Sequence, residues 1–259
     1  MVGSYVNFGI KTSRRLLDVV NLSEVMALCH KHRPEAIIHL AAETDIDKCE
    51  SDPKYAYMVN AVGTYNVALA AKELNAKLVY ISTAGVFDGN KEGPYNEEDI
   101  PNPKNYYGRS KHLGELLITS MLENYAITRA CWMFGGGPTR DYKFVSKIIK
   151  QLNKKEIGVV TDQLGSPTFG KDLVEGIKII LREDLKGTYN LANNGVCSRY
   201  DFAKLIVDIL GKETIINPIK MSDFDTATFR PYNEGLSSTK IPRRPWQEAI
   251  KEYLEAEWK

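Results

Sequence analysis

With 259 residues, the chain is long enough for one large domain or a domain with a smaller appendage, and its 43% hydrophobic and 26% charged residues are those of a globular protein. Lys plus Arg (34) balance Asp plus Glu (33), which argues against a nucleic-acid surface as the main function, and no apolar run is long enough to span a bilayer. No charged-then-apolar signal segment opens the chain, and the four cysteines (Cys29, Cys49, Cys131, Cys197) lack C-x-x-C spacing, so they read as buried free thiols in a reducing, cytoplasmic setting.

In chain order, NLSEVMALCHKHRP (21–34) predicts a helix capped by Asn21 or Ser23 and stopped at Pro34. EAIIHLAA (35–42) is a short apolar run that predicts a buried strand, and AKLVYIST (76–83) predicts a second. Between them KYAYMVNAVGTYNVALAAKELN has helical spacing, and after the second strand SKHLGELLITSMLENY predicts another helix. YAITRACWMFG (125–135) predicts a third strand, followed by the glycine-rich FGGGPTRDY (134–142), read as a flexible substrate-side loop. Beyond it, IGVVTDQLGSPTF predicts a strand and loop, KDLVEGIKIILRE a helix, and GTYNLANN a strand. SRYDFAKLIVDIL predicts a helix opened by Ser198, and PWQEAIKEYLEAEW a closing amphipathic helix. Strands alternating with helices in this way predict a parallel sheet wound with helices.

Chemistry concentrates at the carboxyl ends of parallel strands. AKLVYIST ends there in Ser82 and Thr83, and the helix of NYYGRSKHLGE (105–115) carries Tyr107 and Lys111 four residues apart on one face. A hydroxyl, a phenol and an ammonium at one sheet edge make a proton-transfer site for carbonyl reduction. The hydroxyl holds the carbonyl oxygen, the phenol protonates it, and the ammonium stabilises the phenolate left behind. His30, His32, His39 and His112 share no ligand spacing, so no metal site is expected.

Several motifs in order resemble the extended short-chain dehydrogenase/reductases, and among them the dTDP-4-dehydrorhamnose reductase branch. HLAAETDIDKCESDP, ISTAGVFDG, YYGRSKHLGE, RACWMFG, TDQLGSPTF and FRPYNEGLSSTK each resemble a segment of that branch, and together they cover nearly the whole chain. The resemblance implies Thr83, Tyr107 and Lys111 as the catalytic set, with Lys111 also touching the nicotinamide ribose of NADPH or NADH. It implies Ala41, Ala42 and Thr44 lining the cofactor, Asp18 near the adenine, Trp132 beside the sugar, and Arg230 and Asn233 near the nucleotide diphosphate. It departs at Ala84 and Gly85, where the branch has Asp-Tyr, and at Glu43, which is more acidic than usual. It also departs at the start. MVGS resembles the tail of a glycine-rich turn with Gly3 as its third glycine, while the first strand and two glycines have no counterpart. Weak or no dinucleotide binding is therefore expected of the chain as written. Arg14 and Arg15 are placed to meet a 2′-phosphate.

The sequence thus reads as an α/β protein, a Rossmann-like doubly wound parallel sheet lacking its N-terminal strand, with a small C-terminal α/β substrate-binding cap. Residues 1–155 form the dinucleotide-binding domain, interleaved with a cap made mainly of 156–259. The expected activity is NAD(P)H-dependent reduction of the C4 keto group of a nucleotide-linked deoxysugar. A homodimer is compatible with this reading; nucleic acid and membrane are not expected partners. The rivals are a non-catalytic regulatory subunit of the same fold, and a nucleotide-sugar epimerase or dehydratase.

Overall fold

The computed structural model describes residues 17–223 and 228–259. A four-stranded sheet runs in the order Ala36–His39, Lys77–Thr83, Tyr125–Ala130, Gly187–Asn190. The first two strands pair in parallel, Ala36 opposite Lys77 and His39 opposite Tyr80. Six of the seven residues of Lys77–Thr83 are buried, as expected of a strand covered on both faces.

Local signals set the flanking helices. Leu22–His32 starts at Asn21, whose side chain accepts the Glu24 N–H, and ends at Arg33 in the left-handed region just before Pro34. Ser23 therefore lies inside the first turn. The predicted long helix before the second strand is three pieces: Pro53–Tyr57, a π-helical turn Met58–Val62, and Gly63–Leu74. Small Ala68, Ala70 and Ala71 bring Gly63–Leu74 close to the sheet, where they pack with Val25, Leu78, Tyr80, Ile118 and Ile127.

The chain divides into two compact units. One takes the described residues up to Val86 with Pro101–Thr128 and Ile177–Thr188; the other takes the described residues of Phe87–Ile100, Arg129–Gly176 and Tyr189–Lys259. The second unit packs around an aromatic cluster. Phe134 lies 5.3 Å from Phe169 and 5.5 Å from Tyr253, and Phe202 lies 5.5 Å from Trp246, between ring centroids. Its strands are short: Glu156–Val160 pairs with Ile215–Ile219, Leu164–Gly165 lies between Asn233–Glu234 and Cys197–Ser198, and Met133–Phe134 pairs with Thr168–Phe169. Ser198 and Asp201 form a reciprocal cap on the helix Arg199–Ile209, and Trp246–Glu257 closes the chain.

The predicted strand over 125–135 is broken into Tyr125–Ala130 and Met133–Phe134, because Trp132 adopts φ +40° between them. The FGGGPTRDY segment contains a short helix, Gly137–Arg140, and the Gly137 N–H donates to the Tyr253 hydroxyl at 3.1 Å. All four cysteines are free, with Cys49, Cys131 and Cys197 buried. No described helix is long and apolar enough to cross a membrane.

Candidate active site

The strand Lys77–Thr83 leads directly into a single 3-10 turn, Ala84–Val86. The helix Tyr106–Met121 starts beside it because Asn105 caps it: Asn105 Oδ1 accepts the Gly108 N–H at 2.8 Å, and the Glu50 carboxylate accepts the Tyr106 N–H at 3.1 Å. Fixing this first turn brings Tyr107 to the strand end. A Cβ built on Gly85 would sit 3.4 Å from Thr83 Oγ1 and 3.5 Å from Cδ1 and Cε1 of Tyr107, so the hydroxyl and the phenol ring flank the same small space. The Gly85 N–H donates to Thr83 Oγ1 at 3.0 Å, which leaves the threonine's own proton to be given to another oxygen.

Lys111 follows one helical turn later and is buried. Its Nζ donates to the Ile81 carbonyl at 2.7 Å and stands 4.0 Å from the centroid of the Tyr80 ring. Burial brings this ammonium down to about 7, against the pull of the Glu115 charge in the other direction.

Of the residues expected at the cofactor, Ala41 is buried, Ala42 partly buried, and Thr44 exposed, all in the loop before the helix Ile46–Ser51. Asp18 is exposed, and its carboxylate accepts the Val20 N–H at 3.0 Å. Gly3, Arg14 and Arg15 lie outside the described residues. Asn60, in the π-helical turn, ties this loop to the helix Tyr106–Met121. Its Oδ1 accepts the Glu43 N–H at 2.8 Å, and its Nδ2 donates to the Glu43 carbonyl at 3.0 Å and to Ser110 Oγ at 2.9 Å. Sequence reasoning missed Asn60, although one polar amide inside MVNAVG was its only local trace. The Glu43 departure is neutralised where it stands. Its carboxylate takes the Thr44 and Asp45 N–H groups at 3.0 Å and the Lys48 ammonium at 2.7 Å. Against the upward pull of burial, these bonds hold it below the usual carboxylate range.

The residues present fit a dinucleotide. Ser82 Oγ is buried with no hydrogen-bond partner among the described residues. Lys111 has two further N–H donors beyond the one given to Ile81, and the loop at Ala41–Ala42 carries only methyl side chains.

In the second unit, the Trp132 indole N–H donates to Glu234 Oε2 at 3.0 Å, and the Arg199 guanidinium covers the ring 3.6 Å from its centroid. Gly165 also lies against the ring, where any Cβ would overlap the indole. Gln163 in turn holds Arg199, accepting its Nε–H at 3.3 Å and its backbone N–H at 3.2 Å. The TDQLGSPT segment is therefore the mount of a tryptophan in a strained backbone conformation. Burial raises the Glu234 carboxyl above its usual range, against the indole N–H and the charges of Arg199 and Arg230. Arg230 belongs electrostatically to this cluster. Asn233, by contrast, uses its amide within the fold: Nδ2 donates to the Lys91 and Gly93 carbonyls at 2.8 and 2.6 Å, and Oδ1 accepts the Gly235 N–H at 2.8 Å.

Three comparisons place this arrangement among known proteins. Residues 7–258 match the family model described as RmlD substrate binding domain. The chain is 36% identical over 252 residues to the spore coat polysaccharide biosynthesis protein SpsK of Bacillus subtilis, covering 95% of this chain and 88% of that protein. It is 35% identical to a dTDP-4-dehydrorhamnose reductase of Aggregatibacter actinomycetemcomitans, over 91% of this chain and 85% of that one. Among solved structures, a dTDP-4-dehydrorhamnose reductase from Bacillus anthracis in complex with NADP superposes with a TM-score of 0.91 at 34% identity, over 95% of this chain and 89% of that one. Matched over nearly its whole length, the chain belongs to the RmlD substrate binding domain family.

Proposed function

We propose that this chain reduces the C4 keto group of a nucleotide-linked deoxysugar, with NADPH or NADH as the hydride donor. The observation that carries this reading is the meeting of Thr83 and Tyr107 across Gly85 at the strand end, with Lys111 buried one turn behind. The dinucleotide, when bound, supplies the hydride. Thr83 gives its hydroxyl proton as a hydrogen bond to the carbonyl oxygen, since its own oxygen is already oriented by the Gly85 N–H. Tyr107 transfers its phenolic proton to that oxygen as negative charge develops there, and the Lys111 ammonium stabilises the phenolate that remains. Ala84 and Gly85 place no acid–base group beside Thr83, which favours simple reduction over dehydration.

In the same reading, Ala41, Ala42, Thr44 and Asp18 border the dinucleotide. Trp132 and Arg230 serve the sugar nucleotide, and Asn233 supports them by holding the loop at Lys91 and Gly93. The test is oxidation of NADPH by the purified chain in the presence of a dTDP-4-keto-6-deoxysugar, after a fluorescence titration with NADPH and NADH. Cofactor oxidation that depends on the keto sugar is expected. Saturable cofactor binding without any turnover, across several nucleotide keto sugars, would favour the regulatory-subunit reading instead.

Trp132→Ala is expected to raise KM for the nucleotide sugar by about tenfold with a smaller effect on kcat, because the indole contributes binding surface and no proton. Steady-state kinetics against both substrates checks this; an unchanged sugar KM would assign the indole to packing alone.

A further inference from the structure

The segment YYGRSKHLGE ends in Gly114 and Glu115, which neither hydride nor proton transfer uses. Gly114 faces Tyr80. A Cβ there would come within 2.6 Å of the Tyr80 hydroxyl oxygen and 3.1 Å of the Asn60 carbonyl oxygen, so only glycine lets the helix settle this close to the strand. The close approach brings the Tyr80 ring under the Lys111 ammonium at 4.0 Å, and the Tyr80 hydroxyl donates to the backbone carbonyl of Lys111 at 3.3 Å. The lysine is 2% exposed. Glu115 lies four residues after it, on the same helix face, and is 3% exposed.

A buried ammonium sheds its proton unless a charge or strong acceptor compensates it. Among the described residues, the titratable groups around Lys111 are His39 from the first strand, Tyr80 from the second, and Tyr107 and Glu115 from its own helix. His39 is uncharged: burial, then the Lys111 charge, hold it down to about 3, and its Nε2 pairs with Thr64 Oγ1 at 3.0 Å. Burial pushes the Tyr80 phenol far up, so it too is neutral. Tyr107 is the proton donor of the proposed reaction. Glu115 is left as the anion in this set, and its Oε2 also lies 3.4 Å from His112 Nδ1.

We infer that Glu115 is a positioning residue of the proposed reductase site: its buried carboxylate, one helical turn beyond Lys111, keeps the lysine charged on the face of Tyr80 beside the proton-donating phenol. The inference rests on the reductase reading for the role of Lys111, but not for the coupling itself. With Glu115 present, Lys111 holds its proton below about pH 7 and loses it as pH rises through that value, so turnover falls over the same range. Without the carboxylate, that fall moves to lower pH.

The test is an NMR titration of the full chain with 13C-labelled lysine side chains, with the Lys111 signal assigned by its loss in Lys111→Met. In Glu115→Gln the Lys111 midpoint is expected to fall by about one pH unit or more, and the alkaline limb of kcat/KM to move with it. Glu115→Met gives the same readout if the glutamine amide is not tolerated in the buried position, and Glu115→Asp restores most of the midpoint. A Lys111 midpoint unchanged in folded Glu115→Gln or Glu115→Met overturns the inference. A shifted midpoint in a protein whose wild type turns over no keto sugar upholds the coupling and sinks the reductase reading.

Discussion

Tyr107→Phe is expected to lower kcat for keto-sugar reduction by about 10²- to 10⁴-fold, while the NADPH dissociation constant stays within about twofold of wild type. The substitution removes one oxygen and keeps the ring that packs beside Gly85, so the helix start and the strand end keep their places. Thr83 still offers a hydrogen bond to the carbonyl oxygen, and Lys111 still holds its charge between the Ile81 carbonyl and the Tyr80 ring. In the proposed mechanism, only the group that completes proton transfer is missing. The loss should therefore fall on kcat and kcat/KM together, the pattern of an interaction made in the transition state. Stopped-flow measurement of cofactor oxidation, beside a fluorescence titration of binding, separates the two effects. A variant that kept most of its turnover would move the proton donor elsewhere and dismantle the Thr83–Tyr107–Lys111 assignment.

The features that could be read from the sequence are those with local causes. The strand Lys77–Thr83 announces itself by a buried apolar run, and the helix Tyr106–Met121 by its asparagine cap and its period. The Tyr107–Lys111 pair is legible for the same reason, since four residues on a helix define one face. What escaped depends on partners far along the chain. Asn60 reaches Glu43 across 17 residues and Ser110 across 50, and nothing within MVNAVG specifies either partner. The π-helical turn that carries it interrupts a segment whose composition is plainly helical. Trp132 looks like one residue of an apolar strand, yet Glu234, 102 residues away, and the glycine at 165 set it in a left-handed conformation. Asn233 is a further case: its place in a motif suggests a substrate role, and nothing local shows that its amide reaches two loop carbonyls more than 100 residues away. The division of the chain at Val86, Ile100 and Thr128 leaves no mark in composition, because it follows which core each segment joins.

Gly108→Ala should be the most damaging small substitution in the helix Tyr106–Met121. On propensity alone it would stabilise, since alanine is better than glycine in a helix interior by about 1 kcal/mol. The surroundings reverse the sign. The new Cβ would run into the Gly85 carbonyl oxygen and come within 2.9 Å of Pro103 Cβ and 3.1 Å of the Gly85 carbonyl carbon. Two of those three are backbone atoms, and the third belongs to a rigid ring, so no flexible side chain can yield. The helix start must lift from the strand end, at a net destabilisation of roughly 3 kcal/mol, typical of overpacking in a close-fitted interior. For a chain of this size that corresponds to a melting temperature lower by about 6–12 °C. The same displacement carries Tyr107 away from Thr83, and a shift of about 1 Å in such a pair lowers turnover by roughly a hundredfold. Gly85→Ala is the internal control. Its Cβ would make ordinary contacts of 3.4–3.5 Å with Thr83 and Tyr107, and its backbone is not in the left-handed region, so its stability should match wild type. Thermal melts of the two variants side by side decide the matter: equal melting temperatures would mean that the helix is not seated on the Gly85 carbonyl, and that something other than this contact registers Tyr107 against Thr83.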